Sequence, residues 1–342
     1  MQHQFMDSPP ENPTGRTLYA GLLLAGLVAL MSVAVPGEAA FRPLLPAVAA
    51  VTNQAGGKAI TSGSVMDGFG VWNPNGKEII FMRDGRLWAV TADGGKTTQL
   101  TRGEKRWDAV PAWRPGSANE LAFIRLPVNG GDAKVILLNR QTGAEKELVS
   151  EPVSIGYLAW TPDGKTLYYT TPQILYKLDI ASGQRTPIVP LKEGWELTAG
   201  GVAVSPDGKQ LVFGAGPRVE RGVRYDLYAL TIDQGKIPPE RLTTEGGIMP
   251  SFAPGQPTRI AYRNPLAKTG IYVMSLPDHQ TTPIVLDDAQ GMFFHPSWSP
   301  DGAEIVVSRL ALDVSPPPEG TGFVSHLYRF PVKRDLPTRS EE

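Results

Sequence analysis

The sequence predicts an all-β fold: a six-bladed β-propeller of four-stranded blades, closed by pairing of an N-terminal strand with the last blade. Three observations predict it. One short phrase recurs six times at a near-constant spacing. Apolar stretches of strand length follow each copy, and the two ends of the repeated region complement each other. A fixed period in this range is the mark of a repeat architecture.

The copies are Trp72-Asn73-Pro74-Asn75-Gly76, Trp113-Arg114-Pro115-Gly116, Trp160-Thr161-Pro162-Asp163-Gly164, Val204-Ser205-Pro206-Asp207-Gly208, Phe252-Ala253-Pro254-Gly255 and Trp298-Ser299-Pro300-Asp301-Gly302. Their prolines lie 41, 47, 44, 48 and 46 residues apart. Proline fixes φ for a tight turn and cannot continue a central strand. Asp or Asn tolerates turn geometry, and Gly supplies the positive φ that closes a hairpin. The bulky residue before the turn ends a strand with a buried side chain, so Trp72, Trp113, Trp160 and Trp298 read as core. A second strand follows each turn, at 78–81, 121–124, 166–170, 210–213, 259–262 and 304–307. A third follows at 86–90, 134–138, 175–179, 226–230, 270–274 and 326–330. A last strand precedes the next copy, as in Gln99-Leu100-Thr101, Glu147-Leu148-Val149 and Arg241-Leu242-Thr243. Four strands in about 40–45 residues make a propeller blade.

The sixth blade has no fourth strand after Phe330, while one orphan strand, at 58–62, stands upstream of the first copy. Thr61 lies 13 residues before Pro74, much as Thr101 lies 14 before Pro115. The orphan therefore completes blade six, and closure removes the exposed sheet edges.

The Trp298-Ser299-Pro300-Asp301-Gly302 phrase and the Arg241-Leu242-Thr243 phrase make residues 58–332 resemble the TolB-like propeller repeat family. The resemblance implies a propeller without the folded N-terminal domain of TolB, because only residues 40–57 separate it from the leader. For TolB itself, the resemblance brings membership of the cell-envelope Tol system and contact with a peptidoglycan-associated lipoprotein.

Lys plus Arg number 33 against 34 Asp plus Glu, a balance that gives no support for nucleic-acid binding. Residues 18–35 are apolar apart from Tyr19 and Ser32; Arg16 precedes them and Pro36-Gly37 breaks them. Residues 1–39 thus read as a signal peptide, cleaved after Ala39, or as a retained membrane anchor, and 40–57 as a linker. Either way, Arg16 on the cytoplasmic side places the propeller in the periplasm or otherwise outside the cytoplasm. Residues 333–342 form a polar tail. With no cysteine, neither a disulfide framework nor a lipid-modified cysteine is available.

No metal-ligand or thiol motif occurs, and no cofactor is expected. The histidines are His3, His279, His295 and His326, with no short spacing between any two. No Gly-x-Ser-x-Gly elbow exists. The Asp-Gly pairs at Asp163, Asp207 and Asp301 are turn formers without the spacing of a calcium loop.

One constellation remains. Nine or ten residues after the repeat proline, four blades carry arginine: Arg83, Arg125, Arg263 and Arg309. Blade four offers Arg218, Arg221 and Arg224 in a long loop at 214–224, and a second long loop spans 310–325. Repeat symmetry puts these on one face with the loops that enter each innermost strand, carrying Trp107, Asp108, Trp195, Phe293, Phe294 and His295. For Arg83 and Arg125, ion pairs with Asp67 and Asp108 compete with a recognition role; Arg263 and Arg309 lack an equivalent acid. The leading expectation is a non-catalytic scaffold that binds an envelope protein or peptide, or an anionic cell-wall component, on this arginine-aromatic face. The alternative is a lyase or hydrolase acting on an anionic carbohydrate, with His295 and an axial arginine as acid–base groups. A purely structural module of a larger complex is the third.

Overall fold

The computed structural model describes residues 57–128, 130–197, 199–220, 222–232, 239–266, 268–312 and 324–333. The leader, nearly all of the linker, most of the loop at 310–325, Arg221 and the tail beyond 333 lie outside the described residues.

The described chain is all β, arranged as six antiparallel blades. The first strand, β1 (Lys58–Ala59), stands alone in sequence. Blade one is β2 (Asp67–Trp72), β3 (Glu78–Arg83), β4 (Arg86–Thr91) and β5 (Thr98–Gln99). Blade two is β6 (Arg106–Trp113), β7 (Glu120–Pro127), β8 (Ala133–Asn139) and β9 (Glu145–Glu151). Blade three is β10 (Leu158–Trp160), β11 (Thr166–Thr170), β12 (Ile174–Asp179) and β13 (Arg185–Pro190). Blade four spans β14 (Trp195–Glu196), β15 (Val202–Val204), β16 (Gln210–Val219), β17 (Gly222–Val223), β18 (Asp226–Thr231) and β19 (Glu240–Arg241). Its four-stranded body is β15-β16-β18-β19, and β14 and β17 both pair the overhanging end of β16. Blade five is β20 (Ile248–Ala253), β21 (Gln256–Asn264), β22 (Gly270–Ser275) and β23 (Thr281–Leu286). Blade six joins β24 (Gly291–Trp298), β25 (Glu304–Ala311) and β26 (Ser325–Pro331) to β1.

The recurring turn is built by its own side chains. In blade six, Ser299 Oγ donates to Asp301 Oδ1 (2.6 Å), Ala303 N donates to the same oxygen (3.0 Å), and Glu304 N donates to Ser299 Oγ (2.9 Å). Ser205 with Asp207 and Thr161 with Asp163 repeat the arrangement. Gly302 closes the turn at φ 69°, a conformation that favours glycine. The Thr161 hydroxyl, then the Lys165 amide, hold the Asp163 carboxyl below its ordinary range.

The repeat tryptophans are buried between blades. Trp160 Nε1 donates to Ala112 O of the preceding blade (3.1 Å), and Trp298 Nε1 to Ser251 O (3.0 Å). Arg114, Arg140, Arg259 and Arg329 lie over Trp160, Trp113, Trp298 and Trp72, at 5.5–5.9 Å. The Leu-Thr phrase acts at the outer edge. Leu100 N donates to Leu87 O, and Leu87 N donates to Thr101 Oγ1 (2.8 and 3.0 Å), so a hydroxyl stands in for a strand carbonyl. Leu242 and Thr243 treat Leu227 in the same way.

The orphan strand does this for blade six. Lys58 pairs with Arg329 and Ala59 with Tyr328. Ile60 N donates to Leu327 O (2.7 Å), and Leu327 N donates to Thr61 Oγ1 (2.9 Å). A second clasp follows, with Ser325 Oγ donating to Asp67 O (2.6 Å) and Ser325 N to Val65 O (3.0 Å). The antiparallel path puts the Pro-Asp-Gly turns, residue 57 and residue 333 on one face, the turn face. The second-to-third hairpins and the connections between blades lie on the other, the crossover face.

Replacing Thr61 by Val strips the Leu327 amide of its acceptor and is expected to cost ~1–3 kcal/mol. Removing residues 58–62 costs more, because the edge of β26 is then bare along its length. Thermal melts check both. At roughly 2–4 °C per kcal/mol, a deletion that leaves Tm unchanged means the ring is closed by some other seam.

Candidate functional site

The crossover face carries the arginines. Asp67 stands directly opposite Arg83 across β2 and β3, and Asp108 opposite Arg125 across β6 and β7. Both pairs are bidentate, at 2.7 and 2.8 Å for Arg83 and 2.8 and 3.1 Å for Arg125. Glu145 adds two contacts to Arg125, at 2.6 and 2.9 Å, and the Arg125 guanidinium holds its carboxyl below the usual range. Buried carboxylates thus hold these two arginines across the first two strands of their blades.

Arg263 departs from expectation. The sequence gives it no equivalent acid, position 247 being Gly, and its cross-strand neighbour is Ile248. Its partner comes from the next connection along the chain. Asp287, between β23 and β24, receives Nη1 and Nη2 at 3.1 and 2.7 Å, and both side chains are 1% exposed. Nη1 also donates to Phe293 O, and the guanidinium lies 4.2 Å over the Phe294 ring. Arg263 is therefore an interior ion pair joining blades five and six. Arg309 is half-buried over Gly291, where a Cβ would come within 2.6 Å of its guanidinium; its carboxylate contact, to exposed Asp288, is 3.9 Å.

Blade four presents the accessible groups. β16 runs past the blade body, and β17 turns back along it. Gly216 permits this hairpin, since a Cβ there would lie 1.8 Å from Arg224 O. Arg218 and Arg224 are exposed, and Val219 at the tip is 50% exposed. Arg218 touches Glu196 of β14 (2.5 Å), and Arg224 donates to Thr244 O (3.1 Å). Trp195 is half-buried, its ring 5.9 Å from that of Tyr228. Exposed Val153 and Leu266 lie on the same face, in connecting segments of blades two to three and blade five.

Phe294 and His295 are not in an exposed loop either. β24 begins at Gly291, so both belong to the innermost strand of blade six, at 1% and 9% exposure. A bulge interrupts the pairing of β2, β6, β20 and β24, each time on the fifth residue before the repeat proline. Those residues, Phe69, Val110, Met249 and His295, have φ of 55, 53, 56 and 53°. Left-handed backbone in a non-glycine residue costs on the order of 1–3 kcal/mol, and three of the four also precede proline, which favours extended backbone. Side chains of a regular innermost strand point at the neighbouring blades; these bulges turn them toward the axis. Phe69, Tyr157 and His295, from blades one, three and six, meet there with ring centroids 3.9–6.4 Å apart. Burial, then the charge of Arg263, pushes the His295 imidazole down to about 3. Among the described residues, no three His, Cys, Asp or Glu side chains gather as a metal site. Phe69, Tyr157 and Asp287 were not singled out by the sequence; the shared offset from proline would have found the first two.

Asp287→Ala leaves a buried guanidinium unpaired and is expected to cost ~3–5 kcal/mol. Asp288→Ala, at an exposed position, is expected to cost ~0–1 kcal/mol. Equal melting temperatures for the two variants would show that Arg263 is not held by Asp287.

No protein-family model and no curated protein matches the chain. Solved structures do. TolB from Acinetobacter baumannii aligns with TM-score 0.54 and 17% identity, over 78% of this chain and 63% of its own; the chain thus spans less than two thirds of that protein. A putative TolB from Agrobacterium tumefaciens aligns with TM-score 0.54 and 17% identity, over 80% of this chain and 94% of its own. An oligogalacturonate lyase in complex with manganese aligns with TM-score 0.52 and 13% identity, over 81% and 93%. At these identities the likeness is one of fold: the chain is a six-bladed propeller similar to those of the TolB structures.

Proposed function

We propose that the chain is an exported, non-catalytic binding scaffold of the cell envelope that docks an acidic segment of a protein or peptide on its crossover face. The observation that carries this reading is the blade-four hairpin. It extends past the blade body with Arg218 and Arg224 exposed beside Val219, Arg218 resting against the Glu196 carboxylate, whereas Arg83, Arg125 and Arg263 are drawn in by fully buried carboxylates. A mix of cation and apolar side chain on a rigid support is what recognition surfaces use. The rigid support is the closed ring, and the fold shared with the TolB structures agrees with a scaffold. Export rests on the apolar run at 18–35 and its break at Pro36.

The catalytic alternative asks for two titratable groups within hydrogen-bond reach at the axis. Among the described residues His295 has no hydrogen-bond partner on either nitrogen, and Arg263 is taken up by Asp287, so the geometry supports the scaffold better.

Two measurements test the proposal. Alkaline phosphatase fused after Glu342 is expected to be active; an inactive fusion removes export. A partner captured from envelope extract and then titrated is expected to bind Arg218→Ala/Arg224→Ala roughly tenfold more weakly, a loss of about 1.4 kcal/mol, with a shallower salt dependence. Equal affinity for both proteins moves the docking site off the hairpin.

A further inference from the structure

The two exposed arginines of the blade-four hairpin are not equally free. Arg224 Nη2 donates to a neutral acceptor, Thr244 O, at 3.1 Å. Arg218 Nη2 donates to a charged one, Glu196 Oε1, at 2.5 Å. The acid is brought there by β14, which pairs the overhang of β16 with Trp195 opposite Pro217 and Glu196 opposite Gly216. Gly216 leaves the space across from Glu196 empty of side chain. The glutamate therefore runs diagonally to the next residue on the same face of β16, which is Arg218; long side chains span that diagonal. Among the described residues the other blades have four strands each, so the overhang and the strand that carries the acid are both additions to blade four.

Glu196 is not needed to place the backbone of Arg218. Arg218 N donates to Gly194 O (2.6 Å), and β17 pairs the other edge of β16, with Val223 opposite Arg218. What Glu196 supplies is a negative charge against a guanidinium whose side chain is 65% exposed. An ion pair so open to water is weak, worth roughly fivefold at most in an equilibrium. It is strong enough to compete for the guanidinium and weak enough to be exchanged.

We infer that Glu196 is a built-in competitor for the docking site, an internal carboxylate that occupies Arg218 until an acidic segment of a partner displaces it. The inference rests on the reading of the hairpin as the docking site for such a segment. Arg224, held by a carbonyl alone, makes the first contact, and Arg218 joins when a second carboxylate replaces Glu196. An acid beside an arginine can also do the reverse and pre-organise it for a ligand. The two roles differ in sign: removing a competitor tightens binding, and removing a positioning acid weakens it.

The test uses the full chain with fluorescein-labelled hexaglutamate as the probe, titrated by fluorescence anisotropy at low ionic strength. Glu196→Gln keeps the size of the side chain and removes its charge. It is expected to bind the probe about threefold to fivefold more tightly than the parent, with an unchanged melting temperature. Glu220→Gln removes an exposed charge from the same hairpin and controls for net charge; its gain is expected to be smaller. In an Arg218→Ala background, Glu196→Gln is expected to change affinity no more than Glu220→Gln does. Equal or weaker binding by Glu196→Gln overturns the inference, and so does a gain that survives intact in Arg218→Ala. In both cases the docking reading stands if the parent binds and Arg218→Ala/Arg224→Ala binds more weakly. Absence of binding to parent and variants alike, or binding that the double arginine replacement leaves unchanged, removes the docking reading and the inference together.

Discussion

Everything in this molecule depends on a short seam. A ring of blades is stable only when its last sheet is completed, and here the completing strand comes from the opposite end of the repeat. β1 is two residues long, and Ile60 and Thr61 extend its hydrogen bonding to both sides of Leu327. The same Leu-Thr device in blades one and four shows how little strand is needed when a hydroxyl substitutes for a carbonyl. The longer outer strands are protected differently. β13 carries Pro187 and Pro190, β23 carries Pro283, and β9 begins Glu145-Lys146-Glu147. Proline and charge on an edge discourage strand addition from another chain.

The crossover face divides its charges by depth. Asp67, Asp108 and Asp287 are buried and hold arginines from the second strands. The first two bridge neighbouring strands within a blade, and the third ties blade five to the connection that enters blade six. Arg218 and Arg224, on the extension of blade four, stay in water, as do Arg102, Lys105 and Lys192 in the connections between blades. Positive residues that look alike in the sequence thus serve opposite ends: those next to a buried carboxylate fasten the ring, and those on the overhang of β16 face whatever approaches it.

The fold was legible because turn chemistry repeats. Pro, Asp and Gly are required wherever the chain reverses from the innermost strand, so six reversals write the same phrase six times. The Asp67–Arg83 and Asp108–Arg125 pairs were legible too, because antiparallel register puts both members at fixed distances from the repeat proline. Asp287 was not, because its pairing with Arg263 runs between blades and follows the path of a connection rather than strand register. The sequence placed His295 and Phe294 in a loop because β24 starts earlier than the recurring phrase suggests. The bulge residues themselves left a faint signature: Phe, Val, Met and His share no side-chain property, and only their offset from the repeat proline, with a second proline following three of them, marks them. β14 and β17 are two residues each, too short for any periodicity.

The placement of both ends of the described chain on the turn face has a mechanical consequence. β1 and β26 are antiparallel neighbours, so residues 57 and 333 leave the ring side by side. A force that separates those two points would part the strands from one end, loading one hydrogen bond after another, the weakest geometry a sheet offers. A force between residue 57 and a partner on the crossover face would run along the strand axis and load all the seam's hydrogen bonds together. The ring is thus built to resist tension transmitted through its thickness and to yield to tension that opens its clasp.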